Sequence, residues 1–305
     1  MRSSLALPAL PAATHHAVLG TIDIDVGDSH ASPDVQWNHH WLDGEVTVLS
    51  MSRQGTDYLL RVPDYADFLV QVQPCRVVVS AYGSPDSTTL EHLLLDQILP
   101  RLLAQCGELV VHASALAIDG RHALFLGPSG WGKSTLAALL QRNGHGVLSD
   151  DCVQLMMTGT RLHAVPTYPS LRLNADSLDA VFANTADTTP VASYSEKHRL
   201  AVAPQRLPAT SVAVDVLYVL GDPAFCGDSI FITSLSPTEV CMALIQHSFR
   251  LDLGDRAATV AQLARCSEIA RVTPAFRLDY PRDFARHDQL TRTICSHIVA
   301  LPARA

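Results

Sequence analysis

Between Gly127 and Thr135 the chain reads GPSGWGKST, which meets the spacing G-x-x-x-x-G-K-[ST] through Gly127, Gly132, Lys133 and Ser134. Each residue type has a mechanical use at its place. Glycines let successive backbone N–H groups curl around phosphate oxygens, a lysine supplies charge for the β- and γ-phosphates, and a serine hydroxyl ligates magnesium. The candidate nucleotide contacts are therefore Gly127, Pro128, Ser129, Gly130, Trp131, Gly132, Lys133, Ser134 and Thr135. Trp131 reads more readily as a packing residue than as a base-stacking one. The plain alternative is a glycine-rich turn that matches by chance. Against it stands the context: HALFL before the loop is strand-like, and KSTLAALLQRN after it is helix-like and stops at Gly144. That is the strand–loop–helix setting the chemistry requires.

The elements around the loop bring further groups toward it. Asp119-Gly120 separates two β-rich runs and favours a two-residue type I′ hairpin turn. In that register Ile118 pairs with Arg121, and His112 lies opposite Gly127 at the mouth of the loop. The plain reading of His112 is a buried, hydrogen-bonded histidine. Downstream, a helix from Lys133 to Asn143 descends roughly 15 Å. A strand from His145 to Asp150 then climbs back roughly 16 Å. Asp150 and Asp151 thus return to the level of the loop, at the carboxyl end of a strand parallel to the one that enters it, where open α/β sheets place their ligands. Neighbours on a strand face opposite sides, so the two carboxylates have different tasks unless the strand ends there and a turn converges them. A solvated Asp-Asp turn is the plain alternative.

Other polar residues carry weaker signals. The stretch ANTADTTPVASYSEKHR, Ala183 to Arg199, reads as a long exposed loop in which Lys197 and Arg199 either close over phosphate or are merely solvated. SVAVDVLYVL, Ser211 to Leu220, reads as one buried strand, with Asp215 an alternative magnesium-shell carboxylate. The pairs His15-His16 and His39-His40 have no accompanying ligand cluster and read as surface residues.

The remaining organisation is coarse. Before residue 108 lie short β-type runs, EVTVLSM, DYLLRV, FLVQV and CRVVVSAY, which predict a small, mostly antiparallel sheet. STTLEHLLLDQILPRLLAQCG predicts a helix capped by Ser87, Thr88 or Thr89, kinked or divided at Pro100 and stopped at Gly107. The resulting division is a β-rich segment over 1–107 and a phosphate-loop domain over 108–305. With 48% hydrophobic residues among 305, a core can be filled, and a net charge of -8 speaks against nucleic acid or an anionic membrane surface as the main partner. No apolar run approaches a membrane span. MRSSLALPALPAA is broken by Pro8 and Pro11 and reads as a loose tail rather than a signal peptide. Seven scattered cysteines without zinc-type spacing suit a reducing cytoplasm.

VHASALAIDGRHALFLGPSGWGKSTLAALLQRNGHGVLSDDCVQL resembles the catalytic core of the HPr kinase/phosphorylase family, and more closely the HPr-kinase-related proteins of peptide-modification pathways, including lasso-peptide kinases. Weaker resemblance extends to PSLRLNADS, which contains Arg172, and to PAFRLDYPRDF. The resemblance implies an α/β fold of the phosphoenolpyruvate-carboxykinase-like P-loop type. It assigns the chemistry to His112, Lys133, Ser134 and Asp151, and it implies ATP as donor, Mg²⁺ as cofactor and homo-oligomers. In the roles that follow, the loop amides hold phosphate, Lys133 reaches the γ-phosphate, and Ser134 with Asp150 holds Mg²⁺. Asp151 is then the base for a serine or threonine hydroxyl of a peptide or protein acceptor, with His112 either orienting it or stabilising the transferring charge. Arg172, Lys197 and Arg199 are further phosphate or acceptor contacts. Thr135 stands where the bifunctional enzymes carry an acidic residue, and SLRLNADSLDAVF lacks their glycine-bearing signature. Both departures speak against phosphorylase activity and against HPr as acceptor. A small-molecule kinase and a nucleotide-sensing ATPase are the competing readings.

Overall fold

Strand DYLLRV buries Tyr58, Leu60 and Val62 and leaves Asp57, Leu59 and Arg61 half-buried, the period of two that one covered sheet face demands. It belongs to a computed structural model that describes residues 2–5, 7, 22–27, 35–167, 170–183, 187–202 and 211–302. The N-terminal tail reading, for the most part, His15-His16 and residues 184–186 of the polar stretch lie outside the described residues. The chain separates into two compact units. The first comprises Met1–Gly107, Val191–Ser195 and Arg250–Thr259; the second comprises Glu108–Pro190, Glu196–Phe249 and Val260–Ala305.

In the first unit β1 (Arg2–Ser3), β2 (Asp23–Val26), β3 (His39–Asp43), β4 (Val46–Gln54), β5 (Asp57–Val62), β6 (Ala66–Gln71) and β7 (Arg76–Ala81) form one seven-stranded sheet in the order β1-β2-β7-β6-β5-β4-β3. β3 to β7 pair antiparallel, while β2 joins β7, and β1 joins β2, in parallel. The helical stretch after it is not divided at Pro100: α1 (Ser87–Leu93), a π-helical turn over Leu94–Ile98 and α2 (Leu99–Gln105) follow one another with right-handed helical dihedrals at each junction, and the wider turn just before Pro100 accommodates a residue without an N–H. The cap is Asp86, not Ser87, Thr88 or Thr89: its carboxylate accepts from Thr89 N at 2.8 Å and Thr89 Oγ1 at 2.7 Å. A carboxylate at that place takes both donors, which a hydroxyl one residue later does not reach.

The second unit contains β8 (Leu109–Val111), β9 (Ala113–Ile118), β10 (Arg121–Leu126), α3 (Lys133–Arg142), β11 (Gly146–Ser149), β12 (Val153–Thr158), β13 (Arg161–Val165), β14 (Ser170–Leu173) and α4 (Ala175–Phe182). Then follow β15 (Thr188–Pro190), β16 (His198–Ala201), β17 (Val212–Ala213), β18 (Val216–Leu220), β19 (Phe231–Ser234), α5 (Pro237–Gln246), α6 (Arg256–Val272), β20 (Ala275–Asp279) and α7 (His287–Ala300), with α6 beginning in the first unit. The central sheet runs β11-β9-β10-β18-β20-β19, with β10, β18 and β20 parallel. In β10, Ala123 and Phe125 enter one core with α3 and α7 residues such as Leu136, Leu140, Ile294 and Ile298. Leu124 and Leu126 enter another with Val240, Leu244 and Ile269. Both faces are covered, which is why HALFL is a continuous apolar run rather than an alternating one.

The hairpin register is as the turn dictates, with Ile118 opposite Arg121 through Ala113 opposite Leu126, and Asp119 and Gly120 both at positive φ, 49° and 79°. β11 runs in the same direction as β10, but β9 lies between them, antiparallel to both. The polar stretch 183–199 is not one long loop. It supplies β15 and the start of β16, which form a three-stranded sheet with β14. SVAVDVLYVL is likewise not one strand: it is divided between β17 and β18.

Candidate functional site

β10 ends at Leu126 and α3 begins at Lys133, so the strand-to-helix reversal must be made by the six residues GPSGWG. Gly130 and Gly132 adopt φ of 80° and 91°, which side-chain-bearing residues avoid. A Cβ on Gly132 would stand 3.0 Å from Tyr280 Oη. Arg282 braces the loop from outside: its Nε donates to Trp131 O at 3.1 Å and its Nη2 to Gly221 O at 2.9 Å, with the guanidinium over the Tyr280 ring. Trp131 packs against the core, as its type suggested.

Lys133 is 4% exposed, and its Nζ donates to Gly127 O at 2.8 Å and Pro128 O at 3.1 Å. Burial pushes its pKa down, and the charges of Asp151 and Asp150 push back. The two carboxylates therefore lie within electrostatic reach of the lysine. They converge because β11 stops at Ser149 and Asp151 turns the chain at φ 71°.

The two carboxylates have different surroundings. Asp150, 1% exposed, accepts from Ser114 Oγ at 2.5 Å and hydrogen-bonds with the Ser134 side chain. Burial, then the neighbouring Asp151 charge, raise its pKa. Asp151 pairs with Arg172 Nη1 at 2.5 Å and with His112 Nε2 at 3.2 Å. Burial opposes its ionisation, but Arg172 and then His112 outweigh it and hold the carboxyl well below the usual range. His112 N donates to His247 O at 2.7 Å, fixing the bend between β8 and β9. Burial, reinforced by Lys133 and His112, pushes the His247 imidazole down to about 4, so it is neutral at ordinary pH.

The small sheet adds cationic residues. Arg172 on β14 lies opposite Arg199 on β16, and Lys197, just before β16, acts on both Lys133 and Asp151. Thr135 Oγ1 is engaged with Ser177 Oγ at 2.9 Å, which ties α3 to α4. Asp215 is not part of this group. It exchanges backbone and carboxylate hydrogen bonds with His122 at 2.8 Å each, at the end of β10 remote from the glycine-rich loop, because β18 runs parallel to β10 and starts there. His40 bonds to Ser50 and His39 meets Trp41 edge to face, so the pair does not converge.

Ser114, His247 and Arg282 were not singled out from the sequence. Ser114 carries a signal: were the strand continuous through His112, a residue two further on would face the same side. His247 and Arg282 carry none, since they arrive from α5 and from beyond β20.

No protein-family profile matches the chain, and no curated protein matches it. A solved structure similar to it is that of the Hpr(Ser) kinase/phosphatase from Coxiella burnetii, at 14% identity over 62% of this chain and 96% of that chain, with a TM-score of 0.34. Among the described residues no helix is long and apolar enough to cross a membrane. What the site can do follows from its own geometry.

Proposed function

We propose that the chain is an ATP-dependent phosphotransferase that moves a γ-phosphoryl group to a serine or threonine hydroxyl of a peptide or protein. One observation carries this reading: a buried lysine at the head of α3 folds back on the carbonyls of its own glycine-rich loop, beside two carboxylates of unequal proton affinity. Pairs of acids driven apart by their surroundings are what acid–base division of labour needs. A nucleotide and a divalent ion suit these residues. The lysine ammonium donates to neutral carbonyls, and Asp150 is a buried carboxyl whose ionisation a cation would favour, with the Ser134 hydroxyl against it.

In this reading the amides of Gly127–Ser134 face phosphate and Lys133 turns from its loop carbonyls to the β- and γ-oxygens. Ser134 and Asp150 would hold Mg²⁺, which would supply charge neutralisation on the transferred group. Asp151 accepts a hydrogen bond from the acceptor hydroxyl. As the acceptor oxygen bonds to phosphorus and the bond to the β-phosphate oxygen breaks, the hydroxyl becomes acidic and its proton passes to Asp151. A carboxylate held low by Arg172 takes that proton late in the step. The peptide acceptor follows from the resemblance to peptide-modifying kinases. Lys133→Ala tests the assignment: nucleotide affinity should fall and phosphoryl transfer vanish, measured by calorimetry and by mass spectrometry of serine-containing peptides incubated with ATP and Mg²⁺. Unchanged affinity and transfer would exclude the loop as a phosphate site. Full-rate hydrolysis that no acceptor alters would favour the ATPase reading.

A further inference from the structure

The tip of the β9–β10 hairpin holds a second group of donors, at the end of β10 roughly 20 Å from the glycine-rich loop at about 3.3 Å per strand residue. Asp119 in the turn, His145 between α3 and β11, and Cys295 on α7 offer a carboxylate oxygen, an imidazole nitrogen and a sulfur that all lie within 4.8 Å of one another. His145 Nε2 is 3.2 Å from Cys295 Sγ, 150 residues away in sequence, and its Nδ1 is 3.8 Å from Asp119 Oδ1. All three belong to the second unit.

Their backbones are held in place. Arg121 donates to Leu301 O at 2.7 Å and Pro302 O at 3.1 Å, which ties the hairpin to the end of α7. His145 N donates to Leu140 O at 3.1 Å, which fixes the histidine to the end of α3. The turn is the two-residue type with Asp119 at φ 49°.

We propose that Asp119, His145 and Cys295 bind one zinc ion, with water as fourth ligand, and that the ion clamps the hairpin tip to the α3–β11 connection and to α7. Sulfur, imidazole nitrogen and carboxylate oxygen together are the donor set of a borderline-soft, tetrahedral ion rather than of Mg²⁺ or Ca²⁺. Bonds of about 2.0–2.3 Å in tetrahedral array space the donors about 3.3–3.8 Å apart; one ion takes only one ring nitrogen of His145, Nε2 beside Cys295, so the exposed Asp119 carboxylate must swing from the Nδ1 side to complete the site. On binding, the thiol proton leaves to solvent and the sulfur takes the metal in its place, with no change of oxidation state.

The full chain, stripped with a chelator and kept in excess Mg²⁺ and ATP, is titrated with Co²⁺ and then with Zn²⁺. One Co²⁺ per chain should bind with a sulfur-to-cobalt charge-transfer band, Zn²⁺ should displace it, and Zn²⁺ should raise the melting temperature. Cys295→Ser should abolish the band. Asp119→Asn, which tolerates the same left-handed turn, should keep the fold and weaken Zn²⁺ binding by roughly tenfold or more, since even outer-shell partners cost that much. No band, a band that survives Cys295→Ser, or equal Zn²⁺ affinity in Asp119→Asn would each overturn the site and leave a hydrogen-bonded thiol–imidazole pair.

Discussion

Asp150 and Asp151 are adjacent and chemically identical, yet the fold pushes one carboxyl up and the other down. Arg172 and His112 serve Asp151, while Asp150 has two serine hydroxyls and almost no water. If Asp151 is the base and Asp150 the metal ligand, as proposed, the two should fail differently. Asp151→Asn keeps hydrogen bonding toward Arg172 and His112 but cannot take a proton. ATP–Mg²⁺ should still bind while transfer falls by roughly two to four orders of magnitude. Asp150→Asn should instead raise the Mg²⁺ requirement and be partly rescued by more metal. Rapid-quench transfer assays across a Mg²⁺ series separate the two. A metal-rescued Asp151→Asn beside a dead Asp150→Asn would exchange the roles.

At the scale of elements, the glycine-rich loop depends on two glycines in the left-handed region whose neighbours differ. Around Gly130 a Cβ meets nothing within 4 Å, whereas at Gly132 it meets Tyr280 Oη at 3.0 Å and Arg282 Nε at 3.6 Å. Gly130→Ala should therefore cost only the backbone term, about 1–2 kcal/mol. Gly132→Ala should cost at least that and also displace the Arg282 brace, so nucleotide affinity falls further than stability does. Denaturant unfolding and ATP calorimetry on both variants make the comparison. Equal loss of affinity in both would show that Arg282 and Tyr280 do not shape the loop. The hairpin beside this loop was legible because Asp119-Gly120 sets its register through local backbone geometry. The strands β15 and β16 were not, because runs as short as Thr188–Pro190 and His198–Ala201 become strands only when a partner edge is offered, by β14 to β16 and by β16 to β15.

For the molecule as a whole, His247 makes acid stability a test of the packing at the end of α5. Its folded pKa, about 4, lies below the ordinary 6.5, so the unfolded chain binds the proton first as pH falls. The contribution is fully present above about 6.5 and is lost as pH drops toward about 4, at most about 3 kcal/mol. His287 and His297 are shifted in the same direction, also by burial, so the informative quantity is a difference. His247→Gln should flatten the fall in denaturant midpoint between pH 6.5 and pH 4 relative to the parent chain. Identical pH profiles would mean that the imidazole is not buried as a neutral group.

Sequence alone determined the features that depend on neighbours along the chain: the loop spacing Gly127 to Ser134, the hairpin register, the helical irregularity ahead of Pro100, and the return of Asp150 and Asp151 to the level of the loop, which follows from the rise per residue of a helix and a strand. Tertiary structure alone decided what those groups became. Arg172 reaches Asp151 from β14, Arg282 reaches the loop from beyond β20, His247 closes on His112 from α5, and Cys295 meets His145 across 150 residues. Local periodicity records which face of an element is apolar, but not which distant element covers it. Charge and proton affinity at a buried site are set by that covering, through desolvation and the nearest opposite charge.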